Sequence, residues 1–252
     1  MPYIILGSRS PTLWEVSKPR IFLLLGGKMK AAILVDGGYY RKIASKAFGE
    51  KNGVDTANEL ITYCMRHLRE SRGKNYVYFE LYRIFYYDCP PLDESIYNPL
   101  TQKTINMKKH PHYEWMNSFL KELTKKRKVA LRLGRQSGPG NTYTLKPEIV
   151  KKLLQKQITL EDISEKNLFL NSIQKGVDMK IGVDIASLAY KKQVDKIVLI
   201  AGDSDFVPAA KLARREGIDF VLDPLGRKIK ADLFEHIDGL RYCDDRLKIK
   251  HQ

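Results

Sequence analysis

The stretch QKGVDMKIGVDIASLAYKKQVDKIVLIAGDSD, residues 174–205, decides the fold of this chain. Its last apolar run, Lys196 to Ala201, has no polar alternation, which is typical of a strand buried on both faces of a parallel sheet. Asp203 and Asp205 follow this run directly. Because ligands of open α/β sheets bind beyond the carboxyl ends of the strands, the sequence predicts a functional site at these two acids.

Further acids precede this strand or follow other predicted strands. Apolar residues at helical spacing predict a helix at 184–190, with Asp178 one or two turns earlier. A second apolar strand, Ala31 to Val35, ends in Asp36-Gly37-Gly38. We therefore expect five carboxylates to converge at one edge of the sheet: Asp36, Asp178, Asp184, Asp203 and Asp205.

Asp88 is a sixth candidate for this cluster. It ends an aromatic-rich run, residues 76–87, that predicts another strand. Cys89-Pro90-Pro91 follows it, so an acid that opens a proline turn is the more economical interpretation.

The alternation of strands and helices predicts an α/β fold with a mainly parallel sheet. Residues 1–29 are expected to form an amino-terminal extension, and residues 30–252 the main domain with an insertion at about 90–171. Within the insertion the pattern predicts a helix at 112–126, a hairpin of 128–134 with 143–145, and short helices at 146–156 and 161–169. Elsewhere it predicts helices at 39–48, 56–70, 206–216 and 231–237, and a strand at 218–222.

Composition restricts the classes of protein that fit. The 252 residues are 43% hydrophobic, which is enough for a packed core, and 44 Lys+Arg against 29 Asp+Glu give a net charge of +15. Such an excess favours a polyanionic partner or surface.

The three cysteines form no CxxC or Cys/His cluster, so we expect neither a disulfide framework nor a zinc site. Cysteines of this kind also lead us to expect a cytoplasmic location. The longest early apolar run, Ile21 to Leu25, is too short to span a bilayer, and no signal peptide is expected.

The crowded acids indicate a chemistry. Neighbouring carboxylates raise each other's pKa unless a cation neutralises them, and carboxylate oxygens suit Mg²⁺ or Mn²⁺. A metal held in this way activates water for attack on a phosphodiester, which predicts a hydrolase. Each acid taken singly has a structural alternative as a helix cap or a solvated residue. Their joint placement at strand exits and facing helix starts favours the shared site.

Basic residues are expected to flank the acidic pocket and bind phosphates, because an acidic pocket alone repels a nucleic acid. A run of four, Lys125 to Lys128, is equally well explained as a solvated helix end. The other candidates for nucleic-acid binding are Lys175, Lys180, Arg214, Arg215, Arg227 and Lys228.

Three motifs in order resemble NYN domains of the LabA/DUF88 type, a group of PIN-like nucleases: VDGG at 35–38, KGVDMKIGVDI at 175–185 and LIAGDSDFVPAAKLARREG at 199–217. The resemblance covers residues 30 to about 238 and implies a Rossmann-like α/β/α sandwich and metal-dependent cleavage of RNA. It also implies that the five acids are the catalytic and metal-binding residues. Many relatives have Asn where this chain has Tyr39.

Two alternatives remain beside a ribonuclease. One is an NYN module that binds RNA with weak or no cleavage. The presence of Tyr39 where many relatives have Asn is the reason to keep this alternative. The other is a phosphatase of the haloacid dehalogenase type, which expects a DxD pair directly after its first strand. Here Asp36 is followed by two glycines, which disfavours the phosphatase. The expected partner is single-stranded or structured RNA, and the oligomeric state, including a homodimer, stays open.

Overall fold

A computed structural model describes residues 28–136, 141–172 and 174–247. The first part contains β1 (Lys30–Asp36), α1 (Gly37–Phe48), α2 (Gly53–Arg66), β2 (Arg69–Arg72), β3 (Asn75–Tyr78) and β4 (Glu80–Asp88). The middle contains β5 (Ser95–Asn98), β6 (Lys103–Asn106), α3 (Pro111–Thr124), β7 (Val129–Leu133), β8 (Arg135–Gln136), β9 (Thr142–Leu145), α4 (Pro147–Leu154) and β10 (Leu168–Asn171). The last part contains β11 (Gln174–Lys175), α5 (Val177–Tyr190), β12 (Lys196–Ile200), α6 (Val207–Arg215), β13 (Asp219–Asp223), α7 (Ala231–Glu235) and β14 (Gly239–Leu240).

A six-stranded sheet with the order β14-β13-β12-β1-β4-β7 forms the centre of the fold. Every neighbouring pair in it is parallel, as the sequence predicted. The chain builds outward from β1 to β4 and β7, then returns to the other side of β1 for β12, β13 and β14. The strand order therefore reverses between β1 and β12, and such a reversal opens a crevice at the carboxyl ends of the two strands.

Alternate residues of β1 enter two separate hydrophobic cores. Ile33 and Val35 face a core built with α1, α2 and α3. Ala32 and Leu34 face a second core built with α5, α6 and α7. Because both faces of the sheet are covered, β1 and β12 bury nearly every side chain, which explains their lack of polar alternation. The layers form the expected α/β/α sandwich.

The middle of the chain differs from the prediction. Val129–Leu133 does not form a hairpin with 143–145; it pairs in parallel with β4 and completes the central sheet. Residues 143–145 pair instead with β10, which takes up the last two residues of the helix predicted at 161–169. Short 3₁₀ turns at Leu160–Asp162 and Glu165–Asn167 occupy most of the rest of that predicted helix. The hairpin prediction was wrong because local spacing does not distinguish a hairpin strand from a strand that pairs with a distant neighbour. Buried side chains of α3 also join the first core, so part of the predicted insertion belongs to the main body.

The observed ends of helix α2, and of the strand predicted at 76–87, also differ from the predicted ones. The helix stops at Arg66, and 69–72 pairs with 75–78 as a hairpin outside the central sheet. The predicted single strand is therefore β3 followed by β4.

Most of the predicted amino-terminal extension, residues 1–27, lies outside the described residues. Every helix in the described part of the chain is too short or too polar to span a bilayer.

Candidate functional site

Asp36 and Asp203 lie at the same edge of the sheet, on either side of the strand reversal. Val35 of β1 pairs with Ile200 of β12, so Asp36 ends its strand at nearly the level where β12 ends. Asp203 follows β12 after Ala201 and Gly202. The parallel register therefore brings these two acids to the crevice, although the sequence separates them by most of the chain.

Asp36 caps a helix and also has a raised pKa. Its Oδ1 accepts a hydrogen bond from the backbone N–H of Tyr39 at 3.1 Å, which caps α1. Burial first, and then the charges of Asp178 and Asp88, raise the pKa of Asp36 to about 6 against the lowering effect of hydrogen bonds from the backbone. Within the described residues Asp36 has no salt bridge. Its ionised form is therefore short of a compensating cation.

Asp178 connects the acids of the two strands. It lies in the first turn of α5, and it is among the charges that raise the pKa of Asp36. Its own pKa is raised by partial burial and then by Asp203 and Asp205. Asp203 Oδ1 accepts a hydrogen bond from the backbone N–H of Asp205 at 3.1 Å and caps the short turn that precedes α6. Four of the five predicted acids thus form an electrostatically coupled cluster, which we call the acidic edge: Asp36, Asp178, Asp203 and Asp205.

Asp184 has a different environment. Its Oδ2 accepts hydrogen bonds from Arg132 Nε at 2.9 Å and from the Tyr87 hydroxyl at 2.8 Å. Tyr87 belongs to β4 and Arg132 to β7, whereas Asp203 follows β12, and β12 and β4 are separated by β1. Asp184 is therefore anchored over the β4–β7 side of the sheet, away from β12. Asp184 thus has a cationic partner, whereas none of the other four acids forms a salt bridge with a residue that the structure describes.

Asp88, the sixth candidate, is a buried structural acid. Both of its oxygens accept hydrogen bonds from the Arg41 guanidinium at 3.0 Å, and the Tyr86 hydroxyl donates a third at 2.8 Å. Gly37 is required beside this group, because a Cβ there would overlap the Tyr86 ring and the Asp88 carboxylate. The first glycine of VDGG therefore lets α1 dock on β4. Sequence reasoning missed Arg41 because it is 47 residues from Asp88.

Tyr39 fills part of the crevice between β1 and β12. Its hydroxyl donates to the Pro224 carbonyl at 2.7 Å, beyond the end of β13. A Cβ on Gly202 would overlap the Tyr39 ring, so the glycine before Asp203 accommodates the ring. Burial raises the pKa of Tyr39 to about 12, and the phenol is neutral at physiological pH. The residue that departs from the Asn of many relatives thus lies between the two strand ends that carry Asp36 and Asp203.

Four of the predicted nucleic-acid-binding residues lie at the carboxyl ends of the strands. Lys175 and Lys180 flank the start of α5, and Arg227 and Lys228 follow β13. All four side chains are exposed. A fifth basic residue at this edge, Lys230, was not predicted; its Nζ donates to the Ser204 hydroxyl between the two acids of GDSD at 3.0 Å.

The remaining basic candidates lie at the opposite edge. Arg214 and Arg215 end α6, which runs from the carboxyl edge back to the amino-terminal edge before β13. The run Lys125 to Lys128 joins α3 to the start of β7, and Lys128 Nζ lies 3.3 Å from Glu80 at the start of β4. The prediction that these residues flank the acidic pocket is wrong, because helices in a parallel α/β fold run antiparallel to the strands and end at the other edge.

The acidic edge suits a hard divalent ion in its chemistry, since its donors are carboxylate oxygens that have no cationic side chain paired with them in the described residues. The side chains do not close around one point, however. Across residues 28–136, 141–172 and 174–247, no three His, Cys, Asp or Glu side chains form a group that holds a metal ion. The residues present fit a metal by charge and donor type, and the convergence of all five acids that the sequence predicted is not seen.

Comparisons with known proteins identify the family. A family model for the NYN domain matches residues 104–232, which is just over half of the chain. The match begins after β4, so Asp36 lies outside it and joins the matched part through the pairing of β1 with β12. The comparison with curated proteins gave no match. A crystal structure of a protein of unknown function from Vibrio parahaemolyticus is similar over 87% of this chain and 95% of that chain, at 17% identity and a TM-score of 0.43, which is too distant to support an argument. The chain belongs to the NYN domain family, within the PIN-like nuclease superfamily.

Proposed function

We propose that this protein is a metal-dependent ribonuclease that hydrolyses phosphodiester bonds of RNA at the acidic edge. One observation carries the proposal. Asp36, Asp178 and Asp203 come from β1, α5 and the exit of β12, and their charges act on one another without a paired side-chain cation in the described residues. Asp36 and Asp178 have raised pKa values beside other carboxylates, which indicates a site prepared for a cation.

We assign Asp36, Asp178 and Asp203 as the residues that hold Mg²⁺ or Mn²⁺. The bound ion lowers the pKa of an attacking water and neutralises charge that develops on the phosphodiester. Asp205 lies next in the cluster and supports Asp203, whose side chain caps the Asp205 backbone. Asp184, which the family resemblance implies as a ligand, holds α5 through Arg132, so that Asp178 faces the strand ends.

The substrate is drawn to this edge by exposed positive charge. Lys175, Lys180, Arg227 and Lys228 surround the carboxylates without pairing to them in the described part of the chain, and phosphate contacts of this type offset the repulsion between the acids and RNA. We further propose that the chain is of the LabA/DUF88 type and acts in the cytoplasm, where its three unpaired cysteines would stay reduced.

The position of Tyr39 favours one alternative, an NYN module that binds RNA and cleaves it weakly or not at all. The Tyr39 ring rests against Gly202 and its hydroxyl is committed to the Pro224 carbonyl. The space between the strand ends is therefore narrower than it would be with the shorter Asn of many relatives, and the amide that Asn supplies is missing.

Cleavage assays with purified protein distinguish these functions. Labelled single-stranded RNA, DNA and a generic phosphomonoester are incubated with and without Mn²⁺. We expect cleavage of RNA that requires Mn²⁺ and is lost in Asp36→Asn and in Asp203→Asn, because each substitution keeps the size of the side chain and removes the charge that retains the metal. Asp93→Asn is the matched control, since the Asp93 side chain is 72% exposed and its charge is not among those that raise the pKa of Asp36 or Asp178.

The outcomes separate the candidates. Full activity in both Asn variants contradicts the mechanism. Binding of RNA without cleavage by the wild type selects the binding module. Hydrolysis of the phosphomonoester alone contradicts both.

A further inference from the structure

A second basic surface lies away from the acidic edge, where the end of α2 and the β2–β3 hairpin meet the segment after β14. An open pocket of about 650 Å³ lies there, within the size range of about 300–1,000 Å³ that is usual for ligand sites. Its lining includes three arginines and two tyrosines: Arg66, Arg69, Arg241, Tyr76 and Tyr242. Among the described residues that line it, none is acidic and none belongs to the acidic edge. We call it the arginine–tyrosine pocket.

The guanidinium groups of this pocket differ in their partners. Arg66 forms an ion pair with Asp244 at 2.6 Å. Arg241 donates to the backbone carbonyls of Arg66, His67 and Arg69, which fixes its guanidinium against the hairpin without neutralising its charge. Arg69 and Arg241 form no ion pair with any residue that the structure describes. Two positive charges are thus held at the pocket without a carboxylate, which is an arrangement that favours an anion.

The aromatic rings add a second type of contact. The Tyr76 side chain is 52% exposed and that of Tyr242 is 38% exposed. The Arg69 guanidinium lies 3.8 Å from the centre of the Tyr76 ring, so a cation and a ring are already in contact at the pocket. Exposed rings beside guanidinium groups match the two parts of a nucleotide, because bases stack on aromatic and guanidinium planes while phosphates take the charge.

We propose that the arginine–tyrosine pocket binds a segment of single-stranded nucleic acid, with a phosphate at Arg69 and Arg241 and a base stacked on Tyr76 or Tyr242. The identity of that strand as RNA rests on the proposed function. The pocket shares no residue with the acidic edge, so it serves as an anchor for the strand and takes no part in cleavage. A polyanion that lacks bases would contact the same guanidinium groups but would have no base to stack on the tyrosine rings.

Binding is measured in chelator, so that cleavage cannot contribute, by fluorescence anisotropy of a short fluorescein-labelled oligouridine. We expect Tyr76→Ala to weaken binding on the order of tenfold, the usual effect of losing one base–aromatic stack, and Tyr76→Phe to stay within about twofold because the ring remains. Arg69→Ala should weaken binding and make the slope of log affinity against log salt shallower by about one.

Two matched controls lie elsewhere on the surface. Tyr97→Ala removes an equally exposed ring, at 54%, and Arg83→Ala removes an exposed arginine of β4. Neither residue lines the pocket, and both variants should bind like the wild type. Polyphosphate as a competitor supplies phosphates without bases, and its affinity should fall in Arg69→Ala but not in Tyr76→Ala. Melting temperatures identify any variant that has lost its fold, and the affinity and salt slope of Arg69→Ala keep the test valid if Tyr76→Ala does not fold.

The results separate this proposal from the proposed function. Wild-type protein that cleaves or binds RNA, with unchanged affinity in Tyr76→Ala and Arg69→Ala, overturns the pocket and leaves the ribonuclease standing. Equal losses in Arg69→Ala and Arg83→Ala overturn it as well, since the effect would then be general charge. Loss of affinity in the pocket variants, in a protein that never cleaves RNA, supports the pocket and contradicts the ribonuclease. Absence of oligouridine binding by the wild type in chelator overturns the pocket.

Discussion

At the scale of single residues, the same side chains carry an observed capping role and the proposed metal-binding role. Asp36 caps α1 and Asp203 caps the turn before α6, as their structural interpretation predicts. Both also lie at the strand reversal beside Asp178, as the functional interpretation predicts. The two interpretations are compatible because a strand exit is followed by a helix start, so a carboxylate that caps the helix also lies where the proposed metal would bind. A cap alone, however, does not require the burial that raises the pKa of Asp36.

The raised pKa of Asp36 predicts a pH-dependent stability. Its pKa is about 6 in the folded chain against 3.8 for an unperturbed aspartate, so the folded chain holds the proton more tightly. The free energy of unfolding therefore falls as the pH rises from about 4 to about 6, and stays lower above that range. Asp36→Asn removes this loss and can still cap α1 through its amide oxygen. In chelator we expect the variant to exceed the wild type near pH 7 by up to about 3 kcal/mol.

The measurement is thermal or urea unfolding of both proteins in chelator, near pH 7 and below about pH 4. The advantage of Asp36→Asn should disappear at the lower pH, where Asp36 is protonated in both states. An advantage that is the same at both pH values would show that the Asp36 charge is not its source. Asp93→Asn, at an exposed position, should behave like the wild type throughout.

At the scale of secondary-structure elements, two arginines set the positions of the helices that carry the acids. Arg41 of α1 holds the buried Asp88 at the end of β4, and Arg132 of β7 holds Asp184 of α5. Each pair joins a helix to a strand that is distant in the sequence. The orientation of Asp178 at the start of α5 therefore depends on contacts made near the middle of the same helix.

The pair of Asp184 with Arg132 predicts the effect of two substitutions. The ion pair is partly exposed, with side-chain exposures of 21% and 40%, so its contribution to stability is modest. We expect Asp184→Asn and Arg132→Gln each to lower the free energy of unfolding by about 1 kcal/mol. The affinity for Mn²⁺, measured by calorimetry, should change little and to a similar degree in both variants. A large loss in Asp184→Asn alone would instead identify Asp184 as a metal ligand, as the family resemblance implies.

At the scale of the whole molecule, positive charge is divided between the two edges of the sheet. Lys175, Lys180, Arg227 and Lys228 lie at the edge that carries the acids. The run Lys125 to Lys128 lies at the other edge, where Lys125 and Lys126 pair with Glu122. The net charge of +15 is therefore an incomplete guide to the surface that we propose binds RNA. Of these two groups, only the residues at the carboxyl ends of the strands are close enough to the acids to position a phosphodiester there.

This division predicts different effects for two double variants that each remove two positive charges. Lys180→Ala with Arg227→Ala, at the acidic edge, should weaken RNA binding and reduce the salt slope by about one to two. Arg127→Ala with Arg215→Ala, at the opposite edge, should leave affinity and slope close to those of the wild type. Filter binding over a series of salt concentrations gives both quantities. Equal losses in the two variants would contradict the assignment of the RNA surface to the acidic edge.

The sequence by itself determined the parts of this protein that depend on neighbouring residues. Continuous apolar runs identified β1 and β12, because a strand buried on both faces cannot alternate with polar residues. The same segments also predicted that acids lie at the carboxyl ends of these two strands. Tertiary structure alone decided what depends on distant partners: β7 joins β4, Asp184 pairs with Arg132 across 52 residues, and the basic run lies at the opposite edge from the acids. The local spacing of residues does not determine these contacts, because each depends on which distant surfaces pack together when the sheet assembles.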